Sequence, residues 1–327
     1  MEPTFLTAIH IHKVRHLTDI DIPLSSNVRK NLILTGKNGS GKTSVLDALS
    51  GNIMDLGTDL YQIDDTNRDT GRWINGITIY GTDFGILRQR FQSGQFIQAY
   101  LRDKRNIQVN IPKNIEKVDL EPVYKIYDMP APDLVRYMVN LKAIQAFAGN
   151  DANPRRAEEI SQWFQRFEGI LRMIYENDSL KLNFDIENFQ FTIAMDDREP
   201  FDFNTMSMGY AAVFDIIGNL IMRMESQHRY DLEGIVLIDE IETHLHVELQ
   251  KKIVPILTEL FPNIQFILTT HSPFVLNSAQ NAVIYDLEKR MLVENGLTNL
   301  PYEGIVEGCF GADRLSQELR EKFDRYR

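Results

Sequence analysis

The sequence has one cysteine, Cys309, among 327 residues, so a framework of intrachain disulfide bonds is excluded. No apolar run approaches the roughly 18 residues of a membrane-spanning helix. The opening residues, Met1 to Thr4, carry neither a basic flank nor the apolar segment of a secretory signal. We therefore expect a protein of the reducing cytoplasm, with no membrane partner.

The chain has few basic residues relative to acidic ones: 35 Lys and Arg residues against 46 Asp and Glu residues, for a net charge of −11. Such a chain repels nucleic acid overall, so DNA binding would need a local basic patch. One candidate runs from Arg88 to Lys117, with Phe91, Phe96 and Tyr100 interleaved. Its basic members are Arg88, Arg90, Arg102, Lys104, Arg105, Lys113 and Lys117. We favour a solvated surface over a DNA site for this stretch.

The most informative segment is Gly36-Lys37-Asn38-Gly39-Ser40-Gly41-Lys42-Thr43, which directly follows the apolar run Leu32 to Leu34. Glycines let successive backbone N–H groups curl around a phosphate, Lys42 reaches the β and γ oxygens, and the Thr43 hydroxyl takes one Mg²⁺ position. A helix from Ser44 onward points its positive end at the anion. The sequence therefore predicts a nucleotide site.

A second landmark is the apolar run Ile235 to Ile238 followed by Asp239 and Glu240. It predicts a buried strand that delivers two carboxylates at its C-terminal end, where parallel α/β sheets bind ligands. One acid can hold Mg²⁺ and the other can orient or deprotonate water. A strand that ends in a solvated acidic turn is the alternative.

A third buried strand is predicted from Ile264 to Leu268, and it ends at Thr269-Thr270-His271-Ser272-Pro273. This places His271 near the phosphates, where it can donate a hydrogen bond to the γ-phosphate. A turn histidine before a proline is the alternative.

The rest of the chain divides into β-rich and helical parts. Alternation predicts an opening hairpin from Phe5 to Leu24, whose His10 and His12 we favour as structural residues over metal ligands. Asn75-Gly76 signals a second hairpin. Further strands are predicted at Ile77–Tyr80, Ile107–Ile111 and Val123–Tyr127. Two amphipathic helices are predicted after Asp133, with a break at Asn150 to Pro154, and another hairpin lies between Leu180 and Ile193.

The blocks GKNGSGKT, MSMGY, LIDEIETHLH and LTTHSP resemble the ABC-type ATPase heads of the SMC, RecF and overcoming-lysogenization-defect group, and most of all small ATP-binding proteins of bacterial phage-defence operons. The resemblance implies one α/β domain with a parallel core sheet, an antiparallel β lobe and a helical lobe. The parts would be 1–130 with the phosphate loop and β lobe, 131–200 with the helical lobe and a hairpin, and 201–327. Two heads would sandwich ATP between them.

The resemblance also implies a role for each matching position. Lys42 would bind the β and γ phosphates, Thr43 and Asp239 would hold Mg²⁺, and Glu240 would act on the hydrolytic water. His271 would be the switch histidine. Ser207 and Gly209, before a helix from Ala211 to Met224, would be the signature that contacts the γ-phosphate of the opposite subunit.

The sequence departs from the group's pattern at several positions. Met206, Met208 and Tyr210 replace parts of the longer signature, so a plain Ser N-cap is an alternative for Ser207. Ile241 and Val247 stand where many relatives have proline. The glutamine that senses Mg²⁺ is not fixed by spacing, and Gln145 is a guess.

Length distinguishes members within the group. The 56 residues after His271 leave no room for a fused nuclease, so we expect a head with a separate effector. Arg314 to Arg327 predicts a helix that packs on the core or on a partner.

Three functions follow from this expectation. The first is an ATP-driven dimeric switch for a separately encoded nuclease or toxin. The second is a DNA repair or recombination clamp, which salt-sensitive DNA binding would favour. The third is an ATP-held scaffold that hydrolyses ATP slowly.

Overall fold

The computed structural model describes residues 4–54, 72–81, 83–105, 109–110, 112–150, 153–294 and 296–297. The strands are β1 (Leu6–Val14), β2 (Leu17–Pro23), β3 (Asn31–Thr35), β4 (Arg72–Ile74), β5 (Ile77–Gly81), β6 (Phe96–Leu101), β7 (Lys181–Asp185), β8 (Gln190–Met195), β9 (Arg198–Asp202), β10 (Glu233–Ile238), β11 (Ile264–Thr269), β12 (Ala282–Asp286) and β13 (Met291–Val293). The helices are α1 (Lys42–Met54), α2 (Phe84–Gln92), α3 (Leu134–Asn150), α4 (Pro154–Tyr175), α5 (Met208–Glu225), α6 (Val247–Gln250), α7 (Ile253–Leu260) and α8 (Pro273–Ser278).

The core sheet has the strand order β6-β10-β11-β3-β12-β13, and only the edge strand β13 is antiparallel to its neighbour. All residues of β3, β6 and β11 are buried, as expected for parallel strands covered on both faces. Strand β11 lies between β3 and β10, so the carboxyl ends of these three strands are adjacent. Ligands bind at this edge of such sheets.

A second sheet, β2-β1-β5-β4, is antiparallel and contains the opening hairpin. Helix α1 places Val45, Leu46 and Leu49 in one apolar cluster with residues of this sheet and of the core sheet. The fully buried side chain of Gln265 joins the two sheets. Its Oε1 accepts a hydrogen bond from Leu6 N at 2.7 Å, and its Nε2 donates to Leu6 O at 2.9 Å and to Lys30 O at 2.8 Å.

The helical lobe consists of α3, α4 and α5 and is joined by the antiparallel sheet β7-β8-β9. Helix α4 begins at the N-cap Asn153 and ends at Glu176, which adopts a left-handed conformation with φ 50°. Its buried face is Ile160, Trp163, Phe164, Phe167, Leu171 and Ile174. Phe164 stacks on Phe191 of β8, and Phe167 meets Phe214 of α5 edge-on, so aromatic contacts hold α4 against both elements. No helix among the described residues is both long and apolar enough to cross a bilayer.

The predicted α/β class is confirmed, with a parallel core, antiparallel sheets and a helical lobe. The opening hairpin, the Asn75-Gly76 hairpin, both amphipathic helices and their break, the hairpin between Leu180 and Ile193, and strands β10 and β11 all occur where the sequence predicts them. The division at residues 130 and 200 stays a prediction.

The prediction of a strand at Val123–Tyr127 is wrong, because this segment is irregular and ends in a turn closed by Lys125 N and Asp128 Oδ2 at 2.6 Å. Helix α2 and strands β6 and β9 were not predicted. Residues 107, 108 and 111 of the predicted strand Ile107–Ile111 lie outside the described residues, as do Cys309 and the predicted helix Arg314 to Arg327.

Candidate nucleotide-binding site

The loop between β3 and α1 has the backbone that a phosphate cradle needs. Its glycines Gly36, Gly39 and Gly41 have φ values of 133°, 83° and 97°, which side-chain-bearing residues rarely adopt. A Cβ atom on Gly41 would lie 2.9 Å from Leu17 Cδ1, whereas one on Gly39 would meet nothing within 4 Å. The loop is therefore packed on one side and open where a ligand would enter.

Lys42 is buried, with only 5 % of its surface exposed, and hydrogen bonds within the loop hold its side chain in place. Its Nζ donates hydrogen bonds to Gly36 O at 2.8 Å and to Lys37 O at 3.1 Å. Burial lowers the pKa of Lys42, and the nearby carboxylates, Glu240 first among them, oppose that shift. Among the described residues, the ammonium group is hydrogen-bonded to these two main-chain carbonyls alone. The buried Oγ of Ser40 in the same loop has no hydrogen-bond partner in the described structure.

The carboxylate pair after β10 is fixed by a residue of β11. The Oγ1 of Thr269 donates to Asp239 Oδ1 at 2.5 Å and accepts from the backbone N–H of Glu240 at 2.7 Å. Asp239 is 2 % exposed, and its other oxygen accepts no hydrogen bond within the described ranges. Glu240 has a φ of 44°, so the chain turns sharply at this residue.

The segment after β11 is held by a third acid, Glu242. Its oxygens accept hydrogen bonds from Thr270 Oγ1 at 2.7 Å and from His271 N at 2.5 Å. His271 is thereby placed with its Nε2 3.8 Å from Glu240 Oε1. The predicted switch histidine and the predicted water-activating acid thus lie next to each other.

A cleft of about 190 Å³ joins these elements. It is lined by Arg15, Asn38, Gly39, Gly41, Lys42, Thr43, Ser44, Glu240 and His271. The phosphate loop and the carboxylate turn, about two hundred residues apart, therefore face one space. The orphaned Ser40 hydroxyl and the open face of Gly39 suit a phosphate, and the oxygens of Thr43 and Asp239 are the donors that Mg²⁺ prefers.

The predicted signature residues do not line this cleft. Ser207 is the N-cap of α5, but its side chain makes no capping hydrogen bond. A Cβ atom on Gly209 would lie 3.2 Å from His244 O and 3.2 Å from Leu249 Cδ1, so the start of α5 packs on the segment after Glu242. Met208 beside it is 58 % exposed.

The structure disagrees with one minor prediction, Gln145, and agrees with another, the structural role of His10 and His12. The Nε2 of Gln145 donates to Ser161 Oγ at 2.8 Å, across the α3–α4 contact, and Gln145 is not among the cleft residues. Its side chain is engaged within the helical lobe, so it cannot serve as the Mg²⁺ sensor. His10 pairs with Asp21 at 2.5 Å and His12 with Thr78 at 2.7 Å, as structural residues do.

The patch from Arg88 to Lys117 is not a continuous basic surface. Its aromatic members Phe91, Phe96 and Tyr100 are buried in the core. Arg90 forms an ion pair with Glu233, and Arg105 is 7 % exposed. The solvated-surface interpretation fits the basic residues that remain exposed.

Sequence reasoning missed four residues that shape the site: Arg15, Arg105, Glu242 and the structural role of Thr269. Arg15 reaches the cleft from the β1–β2 turn, and only its basic character in a predicted turn could have indicated it. The Nη2 of Arg105 donates to Glu240 O at 3.1 Å and Asp239 O at 3.4 Å. Burial lowers the pKa of Arg105 to about 10, and nearby acids, Asp215 first, oppose this.

Comparison with protein families gives a match over residues 32–277 to the family described as "AAA domain, putative AbiEii toxin, Type IV TA system". That range contains the phosphate loop, the signature, the carboxylate turn and His271. It therefore covers most of the chain, including all the predicted site residues.

Two curated proteins show similarity over shorter stretches. Septu protein PtuA of Bacillus mycoides is 38% identical over 133 residues, which are 37% of this chain and 18% of that protein. The Retron Vc95 probable ATPase of Vibrio cholerae is 36% identical over 140 residues, 40% of this chain and 27% of that protein. The chain thus spans well under half the length of either relative. Among solved structures, an SMC head bound to the C-winged helix domain of ScpA matches with a TM-score of 0.46 and 13% identity, covering 90% of this chain and 98% of that one.

Proposed function

The chain belongs to this AAA-domain family, and from that premise we propose that it is an ATPase of the ABC type. We propose further that its ATP-bound dimer is a switch that controls a separately encoded effector in phage defence. One observation carries the proposal: the loop residues Lys42 to Ser44 and the acid Glu240 line the same cleft. A triphosphate bound by the loop would place its terminal phosphate near the acid and near His271.

Binding begins with the phosphate loop. Backbone N–H groups around Gly39 and at the start of α1 would donate to phosphate oxygens. The Nζ of Lys42 would leave Gly36 O and Lys37 O for the β and γ oxygens. A hydrogen bond between two charged groups is stronger than one to a neutral carbonyl. Since Lys42 is already buried, the exchange adds little desolvation.

The carboxylate turn supplies the groups for hydrolysis. Thr43 and Asp239 would hold Mg²⁺, which supplies charge neutralisation on the β and γ phosphates. Thr269 restrains one oxygen of Asp239, leaving the other for this role. The side chain of Glu240 is 41% exposed and can accept a proton from a water molecule in the cleft. His271 beside it would donate a hydrogen bond to the γ-phosphate.

The position of the signature supports action as a pair. Ser207 and Gly209 are not among the residues that line the cleft of their own chain, which supports a role toward a nucleotide held by a second copy. Met208 is 58 % exposed and Val247 is 42 % exposed, and apolar groups at this density suit an interface. A head-to-tail dimer would cover these residues and use the N-terminal dipole of α5 against the γ-phosphate.

The proposal of a separately encoded effector rests on the kinds of protein to which this chain is similar. The chain resembles phage-defence ATP-binding proteins, is similar to a Septu protein and a retron ATPase, and its family description names a toxin. A nuclease or toxin encoded beside this chain is the partner that fits. Hydrolysis would be slow or controlled by that partner, so that the dimer lasts long enough to act as a signal.

The test is to measure phosphate release and molecular mass of the purified chain with and without MgATP. We expect turnover together with a nucleotide-dependent doubling of mass. Absence of ATP binding at saturating Mg²⁺ would overturn the proposal. Salt-sensitive binding of duplex DNA by the isolated protein would favour the DNA clamp instead. If the dimer dissociates much faster than it hydrolyses ATP, hydrolysis cannot set the lifetime of the dimer, and the proposed switch would be contradicted.

A further inference from the structure

An incomplete charge pair is buried between the carboxylate turn and α5. Arg105 is 7 % exposed and Asp215 is 2 % exposed. Nε and Nη1 of Arg105 and Oδ2 of Asp215 have no hydrogen-bond partner in the part of the chain that the structure describes. Buried polar groups are nearly always paired. Two guanidinium nitrogens and one carboxylate oxygen, buried without hydrogen bonds and of opposite charge, therefore need an explanation.

Arg105 and Asp215 act on each other without touching. Asp215 is the strongest of the acidic groups acting on Arg105, and Arg105 is the charge that acts on Asp215. No direct ion pair joins them, because Asp215 Oδ1 pairs with Asn219 Nδ2 at 3.3 Å while Arg105 Nη2 contacts the carbonyls after β10. A movement of α5 toward Arg105 would bring the Oδ2 atom of Asp215 onto the guanidinium nitrogens that have no hydrogen-bond partner.

The two residues connect parts of the site that have separate tasks. Arg105 holds the main chain of Asp239 and Glu240, which sets where both carboxylates point. Asp215 lies about two turns into α5, the helix that begins beside Ser207 and Gly209. A force applied at the start of α5 would therefore displace Asp215 relative to Arg105.

We propose that Arg105 is a positioning residue for Glu240, and that Asp215 closes onto it when a second copy engages the start of α5. The inference rests on the proposed function, since it presupposes ATP binding and a dimer. Under this proposal, contact with the signature residues of one chain changes the position of Glu240 in that same chain. The two nucleotide sites of a dimer would then become competent together.

The chain contains a matched control, Arg223. This arginine is on α5, is 3 % exposed, and also has Nε and Nη1 without hydrogen-bond partners among the described residues. Burial lowers its pKa to about 10, as for Arg105. Its Nη2 donates to Asp128 O, in the irregular segment after β6. Arg223→Met therefore removes an equally buried guanidinium without touching the carboxylate turn.

The experiment compares Arg105→Met, Asp215→Asn, the double variant and Arg223→Met with the wild type. Turnover, ATP affinity and hydrogen exchange are measured for each protein. We expect Arg105→Met to lower kcat about tenfold or more while ATP affinity changes less than about threefold. The double variant should be no slower than Arg105→Met, because residues that act as a unit are not additive. Arg105→Lys should recover part of the rate.

Hydrogen exchange separates this inference from the proposed function. In the wild type, MgATP should protect the backbone around residues 239–241 and the first half of α5 together. In Arg105→Met only one of the two segments should respond. If the wild type binds ATP but shows no turnover, the proposed hydrolysis is overturned. The comparison of hydrogen exchange in the two segments then tests their coupling by itself.

Several results would overturn the inference. These are unchanged turnover in Arg105→Met, an equal loss in Arg223→Met, strictly additive losses in the double variant, or joint protection that survives in Arg105→Met. If Arg105→Met does not fold, Asp215→Asn and Arg105→Lys carry the same comparison.

Discussion

The Nε2 atom of His271 lies 3.8 Å from the Oε1 atom of Glu240. His271 follows β11 and Glu240 follows the adjacent strand β10. The backbone N–H of His271 donates a hydrogen bond of 2.5 Å to Glu242 Oε1, which fixes the position of the histidine. This arrangement leaves both side chains facing the nucleotide cleft. The acid and the histidine can therefore act on one water molecule and one phosphate.

Glu240→Gln should abolish turnover while ATP still binds. The amide keeps the shape of the side chain but cannot accept a proton, and losing a general base typically costs about 10²- to 10⁴-fold in rate. Phosphate release should fall by at least about 100-fold, and a dimer should persist on gel filtration with MgATP. Glu248→Gln is the control, because Glu248 lies on α6 at the protein surface and pairs with Lys251, away from the cleft. Normal hydrolysis by Glu240→Gln would remove Glu240 from its assigned role.

Thr269→Val should uncouple the carboxylate turn from β11. Valine has nearly the same shape but neither donates to Asp239 nor accepts from Glu240 N, and each buried group left without a partner costs about 1–3 kcal/mol. We expect lower thermal stability and a turnover reduced by about tenfold. Thr258→Val is the matched control, because Thr258 Oγ1 donates to the carbonyls of Val254 and Pro255 within α7. Equal effects of the two substitutions would argue against a role for Thr269 at the site.

Lys42→Ala and Ser207→Arg should each be inactive alone and should complement each other when mixed. Lys42→Ala cannot bind the triphosphate, and Ser207→Arg blocks the face offered to the opposite subunit. In a head-to-tail dimer, one of the two sites of a mixed pair keeps both an intact loop and an intact signature. An equal mixture should recover up to about a quarter of wild-type turnover. A mixture that recovers no turnover and forms no mixed dimer with MgATP would contradict the shared site, whereas a mixed dimer without turnover would reflect the coupling of the two sites inferred above.

Asp215→Asn should change how stability depends on pH. Burial raises the pKa of Asp215 from 3.8 to about 6, with Arg105 opposing the shift. The folded protein therefore keeps a proton that the unfolded chain releases, so this group makes the fold less stable as pH rises from about 4 to about 6. A shift of this size corresponds to about 3 kcal/mol, and no further change is expected above that window.

Urea unfolding at several pH values checks this prediction. The free energy of unfolding of the wild type, relative to Asp215→Asn, should fall by about that amount across the window and stay level above it. Asp231→Asn is the control, because the pKa of the exposed Asp231 is lowered by its hydrogen bond to Arg229. Parallel curves for wild type and Asp215→Asn would show that Asp215 titrates normally in the fold.

The sequence was sufficient for the parts of the fold whose local signals agree with their surroundings. Strands β3, β10 and β11 are short apolar runs that end in residues with recognisable chemistry, so both the strands and the cleft residues could be predicted. Strand β6 was missed because Phe96 to Leu101 lies inside a run of basic residues and includes Gln98. Its burial comes from its pairing with β10, which sequence alone does not show.

The supporting residues could not be predicted for the same reason. Arg105 looked like one member of a surface patch, yet long-range contacts bury it against the carbonyls of Asp239 and Glu240. Val123–Tyr127 has the composition of a strand, but Tyr127 bonds to Ser50 of α1 and the chain turns at Asp128. In each case a partner far away in sequence outweighs the local preference.

The side chain of Gln265 imitates a neighbouring strand, since one amide group satisfies both the N–H and the C=O of Leu6. This has a consequence for exchange of segments between homologues. Because these bonds use main-chain atoms of Leu6, a chimera that receives a foreign N-terminal hairpin will keep them as long as position 265 remains glutamine. Position 265 therefore constrains such an exchange more than the sequence of the hairpin does, although 259 positions separate it from Leu6.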